Sequence, residues 1–422
     1  MVLRKTKYFE LLMVIANHIT DLLSTLIITK LLSIHLTKVD YGFYALILSI
    51  LAFVTILPFS SLHTAIERFI AEYKGKSNYA DYLFPLISIH LIFFGVYLIL
   101  SPFIYINIDH VWKSIFIPLI LFIFTRIYKI LLLCVLNVER KRLVMLISRI
   151  IDMIVQIIII TYYIYNSALT VEIIILSATL ANLGSIAILL SVLKDNIRFK
   201  GFWANAPFVL NYILKYSLPL IMWGVFLWAQ NMIIRWYIEF YMTKEDVANF
   251  SVVTSLALLP ATAIISIVGQ FIVPISYNKE AIQSGTIAAI NKKLFGYVSG
   301  LMVLGITGAY FLKDYLILLF LDKKYIDVSW SLPLLMIGTS IYAIGQVLIY
   351  EIYYYKRPSI LIASNIIPGI FSLITGMFFI KLWGYSGAIL TNIISFTLSG
   401  VITLLTVLYF TRKKAPLLYL TK

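Results

Sequence analysis

Asn17, Asp21 and Ser24 stand at i, i+4 and i+7 in an otherwise apolar run, with His18 three residues before Asp21. On a helix that spacing gathers polar groups on one face, at the middle of the run. An ionised side chain at mid-bilayer costs about 2.5–3.5 kcal/mol on insertion scales, so such a stripe must face water, a partner or an interface. Asp21 is the candidate for coupling. It binds a proton or a sodium ion, partners a cation, or makes a structural hydrogen bond to another helix. Arg126 lies near the centre of another apolar run, with Lys129 one turn on and Asn137 further along the same side. Central depth places Arg126 beyond snorkelling reach. Arg149, Asp152 and Gln156 follow at i, i+3 and i+7 in the next run. That spacing allows an Arg149 to Asp152 pair within one helix, while Arg149 is also close enough to the end of its run to snorkel.

Elsewhere the polar residues are sparser. Lys30 and Arg235 sit near the ends of their runs, where each either snorkels or lines a cavity. His90 is mid-run and reads as a packing residue or a proton relay. The second half of the chain offers mainly neutral groups at depth: Gln230, Asn231, Gln270, Gln346 and Asn392, with Arg235 and Glu351 near run ends. The charge of any cavity therefore comes chiefly from the first half. Pro58, Pro260, Pro274, Pro333 and Pro368 permit bending within runs.

The elements that must position these residues are membrane helices. Of 422 residues, 61% are hydrophobic and 13% charged, with mean hydropathy +0.96, a composition that excludes a soluble domain of this size. Apolar runs near the ~20 residues needed to cross the hydrocarbon fall at 8–34, 41–64, 82–107, 112–138, 143–165 and 168–193. Six more fall at 214–238, 246–275, 293–312, 329–350, 358–380 and 384–410. Their length and continuous apolarity predict α-helices rather than barrel strands. The first run carries Asn17, His18 and Asp21 and lacks a small-residue cleavage site, so it reads as a retained helix. The single cysteine, Cys134, lies in an apolar run, so neither a disulfide framework nor a Cys/His metal site is expected, and no cofactor is implied.

Lysines and arginines set the orientation. With the N-terminus inside, the cytoplasmic loops receive Arg68, Lys74, Lys76, Arg140, Lys141, Arg142, Lys194, Arg198, Lys200, Lys279, Lys292, Lys293, Lys356, Arg357 and Arg412 to Lys414. The outer loops hold chiefly Lys38, Lys113, Lys244, Lys313, Lys323 and Lys324. Both termini are thus expected in the cytoplasm. The formal charge of +15 is spread over separate short loops, which fits topology and anionic lipid heads rather than nucleic acid.

An internal repeat divides the chain. Leu36 to Ile50 (LTKVDYGFYALILSI) recurs as Met242 to Leu256 (MTKEDVANFSVVTSL): Thr37, Lys38, Asp40 and Ser49 match Thr243, Lys244, Asp246 and Ser255. Each copy joins the first and second run of its half. A Lys-Arg pair likewise marks the fourth-to-fifth junction of both halves, in Glu139 to Asp152 and in Tyr353 to Pro368. Two six-helix bundles follow, 1–193 and 214–422, with a site between them. The stretch 194–213 between them mixes aromatic and basic residues, as a cytoplasmic interfacial helix or a plain linker would.

Twelve spans in two like halves, TKVDYGFYALILSI after the first span and HTAIERFIAEYKGK after the second, resemble the polysaccharide transporter family. These are Wzx-type flippases of the superfamily that also contains multidrug and toxin extrusion (MATE) proteins. The resemblance extends to Tyr216 to Val253 and Leu382 to Ser395, and departs where Ile234-Arg235 stands for an Asp-Arg pair and Ala248 for a glycine. It implies an all-α exporter fold in the bacterial inner membrane. It also implies an undecaprenyl-diphosphate-linked oligosaccharide, an O-antigen or capsule unit, turned from the cytoplasmic to the periplasmic leaflet by alternating access. Arg126 and Lys129 would hold the diphosphate, with Arg149 and Arg235 as further candidates to line the cavity. Asn17, Gln156, Gln230, Asn231 and Trp228 would face sugars, and Asp21 and Asp152 would serve coupling or pairing. Polysaccharide-assembly proteins are the implied partners.

Two other classes remain. A multidrug antiporter of the same fold would favour an apolar, anionic cavity, against the depth of Arg126 and Lys129. A polymerase or glycosyltransferase would need a sizeable outer loop with catalytic acids, and all outer connections here are short. Flipping requires no covalent chemistry, so an enzyme is not expected.

Overall fold

A computed structural model describes residues 2–73, 80–107, 110–194, 202–276, 286–349, 352 and 358–414. Glu351 and the loop cations Lys74, Lys76, Arg198, Lys200, Lys279, Lys356 and Arg357 lie outside the described residues. So do residues 195–201 of the linker and the side chains of Gln270, Pro274 and Arg412 to Lys414.

All twelve expected runs fall on helices. They are α1 (Val2–His35), α2 (Lys38–Val54), α3 (Ser61–Tyr73), α4 (Ala80–Asn107), α5 (His110–Val138), α6 (Arg142–Tyr165), α7 (Val171–Leu193), α8 (Phe202–Tyr241), α9 (Lys244–Ser276), α10 (Thr286–Phe320), α11 (Ser331–Gln346) and α12 (Ala363–Lys414). Among the described residues, eight helices are long and apolar enough to cross a membrane. The chain is a multi-pass membrane protein.

Among the boundaries that differ from those expected, three have a local reason. The second run is interrupted: Leu57 leaves helical geometry before Pro58, and a π-helical turn (Thr55–Ser60) joins α2 to α3. Tyr97 of α4 donates its hydroxyl to the Leu57 carbonyl at that break. The last two runs join into α12 but turn at Gly384, whose φ of 55° lies where a β-carbon is unfavourable. The seventh run starts early, because α8 is helical from Phe202 and continues unbroken to Tyr241. At 1.5 Å per residue it is about 60 Å long, enough to extend beyond the hydrocarbon.

The two repeat copies have the same local structure. Thr37 precedes α2, accepts from the Asp40 amide at 3.1 Å and donates to the Asp40 carboxylate at 2.7 Å. Thr243 does the same for Asp246 at the start of α9, at 3.2 and 2.7 Å. Both copies are helix N-caps with an acid at the third position, where it meets the positive end of the helix dipole.

The chain separates into two compact units, Met1–Ser24 with Ile50–Val225, and Thr25–Ser49 with Phe226–Lys422. In the first, α7 packs along α5 and α6, and α3 packs on α5. In the second, α11 is packed by α12, α9 and α10. Gly345 and Gly400 let α11 and α12 approach closely: a β-carbon on Gly345 would stand 2.8 Å from the Gly400 carbonyl oxygen. Around this contact Ala343, Val347, Ile352, Leu361 and Val407 form a buried cluster.

Candidate functional site

In the first unit the polar residues of α1, α5, α6 and α7 resolve into two ion pairs. Arg149 reaches Asp21 through its guanidinium, and Lys129 reaches Asp152 through its ammonium. The Arg149 to Asp152 pair allowed by their i, i+3 spacing thus gives way to two partnerships between helices. Three residues leave the two side chains about 60° apart on one face of α6, so each can reach the other or a neighbouring helix, and the opposite charges on α1 and α5 take them. Arg149 then points to α1 and Asp152 to α5.

These pairs differ in their surroundings. Lys129 is buried and also donates to the Asn182 amide oxygen at 3.1 Å. Asn182 in turn donates to Thr125 at 3.4 Å, and Ser185 donates to Asp152 at 2.9 Å and to the Ser148 carbonyl at 3.0 Å. Three helices are stitched by this network, which occupies most of the donors and acceptors of the ion pair. The Asp21 side chain is 49% exposed and that of Arg149 20%. The Lys129 to Asp152 pair, at 7% and 19%, is the more enclosed of the two.

Asn17 marks the level of the open pair. Its amide donates to the Met13 carbonyl at 2.7 Å and to the Arg142 carbonyl, at the first residue of α6, at 3.2 Å. The polar stripe of α1 therefore lies beside the first turns of α6, with Asp21 and Ser24 near the middle of the Leu12–His35 span. Arg142 bonds Asn137, which donates to Glu67 at 3.1 Å, so Asn137 joins α5 to α3 and α6. Arg126 is exposed on α5, one turn from buried Lys129, and Gln156 is half-buried one turn beyond Asp152. His90 stacks on His63 at 5.1 Å and 14°, and its Nδ1 lies 3.1 Å from the Leu86 carbonyl oxygen.

The second unit places its expected residues in protein. Arg235 is 9% exposed, bonds Ser251 at 3.0 Å and contacts the Met232 sulfur. Asn231 donates to its own helix at Leu227 O, 2.8 Å away, and Gln230 is buried 3.5 Å from the Ser395 carbonyl oxygen. Trp228 donates to the Ser49 carbonyl and Trp236 to the Ser49 hydroxyl, both at 2.8 Å. Lys30 reaches the carbonyls of Leu318 and Leu321 at the end of α10.

Asn182 and Ser185 were absent from the sequence reading, though Thr125 and Asp152 depend on them. Their signal was present: Asn182 and Ser185 lie one turn apart in an apolar run, and Thr179 extends the stripe back by another turn.

The site can therefore do electrostatic work without covalent chemistry. It holds an accessible carboxylate against an arginine at membrane depth, backed by a neutralised, hydrogen-bonded lysine. By its chemistry, an anion brought to this site would compete with Asp21 for Arg149, and a proton or small cation would compete with Arg149 for Asp21.

No protein-family model matches the chain, and no curated protein matches it in sequence. Solved structures do match in fold. A mutant form of the MATE transporter VcmN of Vibrio cholerae superposes with a TM-score of 0.67 at 13% identity, covering 99% of this chain and 98% of that one. The lipid II flippase MurJ, in an inward closed conformation, gives 0.68 at 16% identity, covering 97% and 87%. An outward-facing multidrug resistance MATE family transporter of the MOP superfamily gives 0.60 at 15%, covering 98% and 96%. The fold of this chain is the all-helical fold of these transporters.

Proposed function

We propose that this protein is a flippase for an undecaprenyl-diphosphate-linked oligosaccharide, moving it from the cytoplasmic to the periplasmic leaflet by alternating access. The observation that carries this reading is the open Asp21 to Arg149 pair, with a 49% exposed carboxylate on an arginine inside the spans. A sealed pair would be structural. In an open one, the arginine is available to a diphosphate when Asp21 takes a proton or a sodium ion, and the forked guanidinium suits phosphate oxygens. Exposed Arg126 adds a second cation on α5. Lys129 and Asp152 then hold α5, α6 and α7 in place and leave the substrate to the other two cations.

In this reading both termini are cytoplasmic, the halves 1–193 and 214–422 are the moving lobes, and 194–213 joins them. No bond is made or broken in the saccharide. The likeness in fold to a lipid II flippase supports a lipid-linked substrate, and that to MATE transporters supports export by the same motion.

The test is flipping of a labelled undecaprenyl-diphosphate oligosaccharide in liposomes. Arg149→Gln should reduce transport at least tenfold, the loss of one charge-assisted contact of about 1.5–3 kcal/mol, and Arg126→Ala should also impair it. Unaltered flipping in both variants would overturn the assignment. Export of cationic dyes, with no movement of any lipid-linked saccharide, would replace it with a multidrug antiporter.

A further inference from the structure

Thr25–Ser49 belongs to the second unit, although Met1–Ser24 before it and Ile50–Val225 after it belong to the first. The segment is the last part of α1, the turn, and the first part of α2. Apolar packing alone does not account for how it is held. Lys30, on α1, sends its ammonium to the carbonyls of Leu318, at 2.6 Å, and Leu321, at the end of α10. Lys324, in the 3-10 turn Lys323–Val328 that follows α10, sends its ammonium 2.5 Å to the carbonyl of Leu36, at the end of α1. Each helix thus ends on a lysine supplied by the other's chain.

The chemistry suits the place. The last carbonyls of a helix have no partner within it and carry the negative end of its dipole, so a lysine both satisfies and neutralises them. Tyr325 fills the space between: it is fully buried, 6.2 Å edge-on from Tyr41, with the ammoniums of Lys324 and Lys38 each 5.6 Å from its ring centroid. Yet Lys30 and Lys324 are themselves only half-buried. Water can replace each carbonyl as it leaves, so the joint can open without stranding a charge.

We propose that Lys30 and Lys324 form a reciprocal clasp that latches Thr25–Ser49 into the second unit, and that its release frees this segment during the transport cycle. The role of the latch in transport rests on the alternating-access reading above; the latch itself does not depend on the substrate.

The experiment reads the latch directly. In a Cys134→Ser background, Ala45→Cys places a small probe on α2, on the face that carries Gly42 and Ser49, at a position 3% exposed. Ala65→Cys, on α3 in the first unit and fully buried, is the control. Membrane vesicles of both orientations are treated with a membrane-impermeant maleimide. The probe should label slowly in the parent. Lys30→Met or Lys324→Met should each speed labelling about tenfold, and the double variant about a hundredfold, from one face only. Lys30→Arg with Lys324→Arg, which keeps both charges, should restore slow labelling. Unchanged labelling in the double Met variant overturns the latch. So does a rise at Ala65→Cys equal to that at Ala45→Cys, which marks general loosening. If the latch behaves as stated but no lipid-linked saccharide moves in liposomes, the latch stands and the substrate assignment falls.

Discussion

Gly42 of α2 lies against the backbone of Lys244, the first residue of α9: a β-carbon on Gly42 would stand 2.8 Å from the Lys244 carbonyl carbon and closer still to its oxygen. The two copies of the internal repeat therefore meet at their caps. Backbone cannot yield as a flexible side chain can, so Gly42→Ala should force the helices apart, at a cost of about 1–3 kcal/mol. Gly296→Ala, where nothing lies within 4 Å, is the control and should be neutral or stabilising, since alanine favours a helix by about 1 kcal/mol. Thermal unfolding in detergent compares them. Equal melting temperatures for the two variants would contradict the close approach.

The more enclosed pair makes a different prediction. Lys129→Met leaves the Asp152 carboxylate with Ser185 but without its cation, and breaking a buried pair typically costs about 3–5 kcal/mol, here an upper bound because Asp152 is 19% exposed. Replacing both, as Lys129→Met with Asp152→Leu, should recover most of that loss, because an apolar pair carries no desolvation penalty. A double-mutant cycle on thermal stability measures the coupling. If the double variant is no more stable than Lys129→Met alone, the network of Asn182 and Ser185 and not the ion pair holds these helices.

Much of the architecture was legible because membrane helices must satisfy their backbone internally and so appear as long apolar runs. The repeat was legible too, down to Thr37 with Asp40 and Thr243 with Asp246, because caps are local. Partner choice was not. Arg149 and Asp152 satisfy a spacing rule within α6, but rotation of that helix against α1 and α5 decides which neighbour each meets. The stripe of Thr179, Asn182 and Ser185 is visible in the sequence but does not name a partner, because small polar residues in an apolar helix commonly bond their own backbone, as Ser177 does at 2.7 Å to Ile174 O. The transfer of Thr25–Ser49 to the second unit depends on contacts such as Lys30 to Leu318, 288 residues apart, which no local pattern encodes.

The open pair should separate function from stability. A partly exposed ion pair contributes about 0–1 kcal/mol, so Asp21→Asn should leave melting within a few degrees of the parent. Transport should fall and its dependence on a proton or sodium gradient should weaken, because the amide takes no proton at ordinary pH and offers sodium a neutral oxygen in place of a charged one. Parallel melting and flipping assays decide this. A large loss of stability with coupling retained would make Asp21 a structural residue.

Lys324 yields the pH prediction, since it lies in the turn outside the spans. Burial lowers its amine below the ordinary value of 10.5, with Asp322 opposing and Lys38 adding to the shift. The folded value is below the unfolded one, so as pH rises the folded chain releases this proton first. Between the two values the unfolded state binds more protons, and stability increases with pH. The cost of burying the charge is present in full at neutral pH and is relieved as pH rises through the lowered value. The melting temperature of the parent should therefore gain on that of Lys324→Met as pH is raised toward 10.5. A neutral amine still donates to the Leu36 carbonyl, so the clasp should persist through this interval and labelling at Ala45→Cys should not accelerate. A parent that instead loses ground to Lys324→Met over the same range would show that the folded protein holds Lys324 as a paired cation, with its proton retained beyond the ordinary lysine value.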